Sequence, residues 1–144
     1  MQKNARSLFQ ALAASLLCAA FVSACATTPS VPMPPNDLDG AKYKLVAISG
    51  RMDQRVVQFK KKGNGLIGTV ISKGRTLTEL VGIPDELVTF QLTPASGGES
   101  NVYEGTYIDF ATDGTRSERE VRVTFYKDSF MWTLESATWE RVQD

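Results

Sequence analysis

Across its 144 residues the chain contains no histidine and only two cysteines, Cys18 and Cys25. The usual general base is therefore missing, and little remains for a metal held by nitrogen or sulfur. Chemistry would fall to carboxylates, hydroxyls and amines. Glu104 with Asp109, or Glu135 with Glu140, could in principle act as an acid–base pair on a glycan. Each pair is five residues apart in sequence, so on one strand its members face opposite sides. The pairs read as solvated, and no catalytic residue, cofactor or metal ligand is assigned. Lys60, Lys61 and Lys62 precede Gly63-Asn64-Gly65; they could meet lipid phosphates, or simply keep a hairpin tip soluble. Arg116, Arg119 and Arg122 are interspersed with Glu118 and Glu120, a pattern that suits cross-strand ion pairs on a wet face, or an anion-binding patch. Tyr103 and Tyr107 flank Gly105 on one strand face, and Trp132 adds aromatic surface. These three are the candidate lining of a ligand mouth, with core packing the other use of the same rings.

The most specific spacing lies at the N-terminus. Lys3 and Arg6 are followed by the apolar run Ser7 to Phe21, then by Val22-Ser23-Ala24-Cys25. A charged start, an apolar stretch and small residues before a cleavage point form the pattern of a secretory signal. The run is shorter than the roughly 20 apolar residues of a membrane span and contains Gln10. Val22-Ser23-Ala24-Cys25 resembles the lipobox of bacterial lipoproteins. That resemblance implies cleavage before Cys25, a diacylglyceryl group on its sulfur and an acyl chain (palmitate) on its nitrogen. It also implies a lipid-anchored location in the cell envelope, at the outer membrane facing the periplasm, because Ala26 and not aspartate follows the cysteine. Several acyl chains anchor firmly, since each buried methylene contributes about 0.8 kcal/mol. Without the leader the chain has no thiol left for a disulfide. Removing Lys3 and Arg6 from the 16 basic residues leaves 14 against 16 acidic ones, a net charge of −2 that offers no electrostatic case for nucleic acid.

Pro29, Pro32, Pro34 and Pro35 favour an extended segment, so residues 25–39 are expected to be a lipidated, protease-sensitive tether between the 1–24 signal peptide and a 40–144 domain. Within that domain, short runs rich in Val, Ile, Thr, Phe and Tyr alternate with turn residues, an all-β signature. Strands are expected at 41–49, 54–61, 66–73, 75–81, 86–93, 101–110, 118–127 and 129–141. Gly63-Asn64-Gly65 and Asp113-Gly114 supply tight-turn chemistry. Val121, Val123 and Phe125 share the inward face of their strand. Trp139 has the opposite parity to Phe130, Trp132 and Leu134, which predicts a bulge near 136–138 or an edge position. Eight short strands suit a small antiparallel up-and-down barrel, which abolishes exposed edges, with a β-sandwich as the alternative.

Strand count, hairpin connectivity and the lipobox together resemble the calycin-like barrels of bacterial envelopes, which include the lipocalins. Gly40-Ala41-Lys42 stands where a lipocalin's Gly-x-Trp would be, so no ligand residues carry over. The resemblance implies a non-enzymatic barrel that takes a small apolar or amphipathic molecule into its mouth. The alternative is a protein-interaction or enzyme-inhibitor module at the envelope. A membrane-bound lysozyme inhibitor would carry Ser-Gly-x-x-Tyr, and Ser49-Gly50 is followed by Arg51, Met52 and Asp53.

Overall fold

The computed structural model describes residues 30–48, 51–80, 82–111, 113–134 and 137–143. The signal peptide, Cys25 and Glu135 lie outside them. Eight antiparallel strands close into one barrel, each hydrogen-bonded to its sequence neighbours and β8 to β1. They are β1 (Lys42–Ile48), β2 (Arg51–Lys62), β3 (Gly65–Ser72), β4 (Val88–Pro94), β5 (Val102–Phe110), β6 (Arg116–Phe125), β7 (Ser129–Trp132) and β8 (Ala137–Arg141). The expected up-and-down barrel is thus the fold, and the sandwich is not.

Two of the expected elements differ. The run expected as a strand at 75–81 is instead a short helix, α1 (Gly74–Thr78). Leu77 on the helix is buried, and Leu80, just past its end, packs partly against the core. The expected strand 129–141 is two strands, β7 and β8, paired antiparallel through Phe130 and Trp139. The chain reverses between them, so the parity of Trp139 reflects a new strand and not a bulge.

Inward parity fills the barrel with rings. Tyr43, Phe59, Phe90, Phe125 and Phe130 meet with centroids 5.0–5.9 Å apart, within the range of favourable edge and tilted contacts. Gly68 on β3 makes room for them, since a methyl there would stand 2.9 Å from both Phe59 and Phe90. Gly105 serves a different need: β4 runs so close that a Cβ would meet the Gln91 carbonyl oxygen at 2.0 Å.

One end of the barrel is closed by the chain's own N-terminal segment. Met33 and Leu38 are fully buried. The Lys127 amide donates to the Val31 carbonyl at 2.9 Å, the Met33 amide to the Phe125 carbonyl at 3.1 Å, and the Gly40 amide to the Phe59 carbonyl at 2.8 Å. Residues 31–40 therefore cross the end as a strap, with a 3-10 turn at Pro35–Leu38. In place of the extended tether expected up to residue 39, the segment from Val31 onward is packed against the barrel and turns at Pro35–Leu38, because Met33 and Leu38 supply the apolar contacts that a free tether would lack.

Beneath this strap the buried Tyr43 hydroxyl donates to the Tyr126 carbonyl at 3.1 Å. Burial raises its pKa to about 12, with Arg141 partly opposing and Asp128 reinforcing the shift. The unfolded tyrosine loses its proton near pH 10, whereas the folded one keeps it to about pH 12. The stability linked to this group is present below pH 10 and is lost as pH rises through that window. Urea denaturation midpoints should fall over this range, and Tyr43→Phe should make the fall shallower. An unchanged pH slope in that variant would show that Tyr43 does not carry the effect.

Candidate functional site

The opposite end, beside α1, gathers both the polar and the half-buried apolar residues. β2 carries Asp53, Arg55, Val57 and Phe59 at alternate, inward positions, and all four are buried. Two charged side chains thus continue an aromatic face into the barrel. Gln54 between them has φ +71°, left-handed backbone that a non-glycine residue rarely adopts. The turn is held by the Asp53 carboxylate, whose Oδ1 accepts the Arg55 amide at 3.2 Å. Pairing between β1 and β2 slips at the same place, between Leu45 and Ala47.

Arg55 spreads its guanidinium across the interior. Nη2 donates to Asp53 Oδ2 at 3.2 Å and Nη1 to the Tyr107 hydroxyl at 3.0 Å. Burial pushes the Tyr107 pKa up, partly offset by Arg55 and reinforced by Asp109 and Asp53. Tyr107 is therefore a neutral phenol at physiological pH. Asp109, further along β5, pairs with Arg119 of β6. At the inward-facing positions here, Asp53 and Asp109 thus balance Arg55 and Arg119. The buried Asp53–Arg55 pair contributes less through attraction than it would cost if either partner were removed.

Among the described residues, the buried side-chain nitrogens left without an acceptor are Arg55 Nε and Trp139 Nε1. Both flank Leu45: Arg55 is its register partner on β2 and Trp139 its partner on β8. A buried donor left unsatisfied costs about 1–3 kcal/mol. The ring contacts close round the same place, with Tyr107 to Trp132 at 5.0 Å, Trp132 to Trp139 at 5.6 Å and Phe90 to each of the three at 4.9–6.0 Å.

The rim is apolar. Leu80, Leu87, Phe110, Trp132, Leu134 and Ala137 are partly buried against the core, and the strand directions put them all at the α1 end. The segment 73–87 covers it, with Leu77 and Ile83 buried. Lys73 Nζ holds that segment, donating to the Ile83 carbonyl at 2.8 Å and pairing with Asp85 at 2.9 Å.

Of the candidate mouth residues, Tyr107 and Trp132 meet at this end. Tyr103 does not join them; its ring packs on Phe125 at 5.7 Å, nearer the strapped end. Asp53, Arg55 and Trp139 were not among the expected site residues. Counting back by twos from Phe59 and Val57 would have placed Arg55 and Asp53 inward. The solvated reading fits Arg116 and Arg122, which pair with Glu118 on the same strand and with Glu104 on β5; Arg119 has the inward parity of Val121 and pairs half-buried with Asp109 at the α1 end. Among the described residues no group of histidine, cysteine, aspartate or glutamate could hold a metal ion, and no helix is long and apolar enough to cross a membrane.

Replacing Trp132 by alanine removes ring contacts to Phe90, Tyr107, Phe130 and Trp139. The expected loss is about 3 kcal/mol of unfolding free energy, measured by urea titration. A loss within error would place its ring outside the packed interior.

Fold and site together define a small closed eight-stranded up-and-down barrel with one strapped end and one amphipathic end. No family model, curated protein or solved structure matches this chain, so its function rests on the residues themselves.

Proposed function

We propose that this protein is a lipid-anchored envelope barrel, held to the membrane through Cys25, that binds a small amphipathic molecule at its α1 end without catalysing a reaction. The observation that carries the reading is the contrast between the two ends. The strap buries Met33 and Leu38 across one, while at the other, beneath the segment that buries Leu77 and Ile83, half-buried apolar residues collect around a charged network. Rings fill the middle of the barrel, so an occupant would not run the length of the interior; its apolar part would lie against Trp132, Leu134 and Leu80 and its polar end would reach in towards Arg55 and Trp139. Ligand sites commonly combine an apolar lining with a few placed polar groups, and Arg55, Tyr107 and Asp109 are such groups.

Native mass spectrometry of the mature protein from its own cells tests this. One bound molecule of a few hundred daltons per chain supports it, and a bare chain that also takes up no added amphiphile opposes it. The filled interior favours one rival, a partner protein docked on the outer wall, where Met131 and Ile71 are exposed. A stoichiometric envelope protein that survives purification, with no small molecule, would select the rival.

A further inference from the structure

From Arg55 Nε and Trp139 Nε1 we infer the chemical class of the occupant: an apolar chain ending in an uncharged oxygen acceptor, such as an alcohol or ester carbonyl. This inference rests on the proposed ligand-binding reading of the α1 end. Both nitrogens are donors only, and both belong to buried side chains without an acceptor for them. They flank the same residue, Leu45, from β2 and β8, on the inward face of the barrel. The donors and the rings that would hold the apolar chain therefore belong to one constellation. Trp139 touches Trp132, Trp132 touches Tyr107, and the Tyr107 hydroxyl accepts from Arg55.

Charge decides against an anion. The Arg55 guanidinium is already matched by Asp53 at 3.2 Å, and the Arg119 guanidinium by Asp109. A third carboxylate would enter next to Asp53 and Asp109 with no cation of its own, and a buried charge without a partner is costly. An alcohol or carbonyl oxygen accepts the same hydrogen bonds with no such imbalance.

The chain has two tryptophans, Trp132 and Trp139, and both belong to this constellation, so intrinsic fluorescence reads it directly. The test uses the mature chain with Cys25→Ser, so that no attached acyl group competes, titrated with 1-decanol and with decanoate. Decanol should bind at least about tenfold more tightly than decanoate. Trp139→Phe keeps an aromatic ring but removes one donor. Arg55→Lys keeps the positive charge beside Asp53 but removes Nε. Each should weaken decanol about tenfold, the effect of one lost hydrogen bond, while circular dichroism confirms that the barrel is intact. Trp132 remains as the reporter in the first variant, so the reading survives if the second fails to fold. Tighter binding of decanoate overturns the uncharged class. Decanol binding that ignores both substitutions overturns the role of the two donors and leaves the ligand-binding reading standing. No binding of either probe overturns both.

Discussion

Asp53→Ala should lower the unfolding free energy by about 3–5 kcal/mol, the range for removing one partner of a buried ion pair. Asp53 and Arg55 are both buried, and the carboxylate does two tasks, accepting the Arg55 guanidinium and capping the Arg55 amide. Without it the guanidinium remains inside the barrel with only the Tyr107 hydroxyl as acceptor. The double variant Asp53→Leu with Arg55→Met should recover much of the loss, because replacing both charges by apolar groups removes the desolvation cost along with the attraction. Denaturant titrations of the two singles and the double form a thermodynamic cycle. A single-variant loss below about 1 kcal/mol would mean that Arg55 is solvated, as exposed pairs are, and not enclosed as described.

Gly74→Ala should be comparably severe, at about 2–5 kcal/mol, through a different cause. Gly74 has φ +63°, where an L-residue is strained, and it also presses against β2. A methyl group there would stand 2.2 Å from Asp53 Oδ1, 2.4 Å from the Arg55 amide nitrogen and 2.7 Å from the Asp53 carbonyl oxygen. Two of these three atoms are backbone, so α1 or the left-handed turn at Gln54 has to move. The variant should lose thermal stability and also lose ligand response at the α1 end, even at temperatures where the barrel stays folded. Gly114→Ala is the control. It shares the positive φ, at +84°, but nothing lies within 4 Å of its added methyl, so it carries the backbone strain alone. Equal losses in the two variants would refute the crowding argument.

Much of the barrel was legible because its information is local. Alternation in Val121, Val123 and Phe125 fixes an inward face, and the Gly63-Asn64 turn fixes a hairpin, with Gly63 at φ +63°. The segment Gly74–Thr78 misled because a short run of alternating polar and branched residues suits either period. What decides in favour of helix is tertiary, namely the closeness of Gly74 to β2 and the burial of Leu77 against the barrel end. The strap was hidden for a related reason. Proline content sets the local conformation of residues 31–38, but only the three-dimensional end of the barrel offers Met33 and Leu38 a place to be buried. Asp53 and Arg55 were obscured by their charge, which ordinarily marks a solvent-facing position. Their pairing with each other is local, but the bond from Arg55 to the Tyr107 hydroxyl, at 3.0 Å, joins residues 52 apart in sequence. Trp139 was placed by parity on the wrong assumption of a single strand, so its share in the site became visible only once β7 and β8 were seen to be antiparallel neighbours.

The central claim is that the α1 end of the barrel holds a small amphipathic molecule. The most direct test is a crystal structure of the mature protein purified from its own cells and supplemented with 1-decanol. The account predicts continuous density for one chain-like molecule against Trp132 and Leu134, its oxygen within hydrogen-bonding distance of both Arg55 Nε and Trp139 Nε1. An end closed by side chains alone, with both donors satisfied from within the protein and no such density, would contradict it.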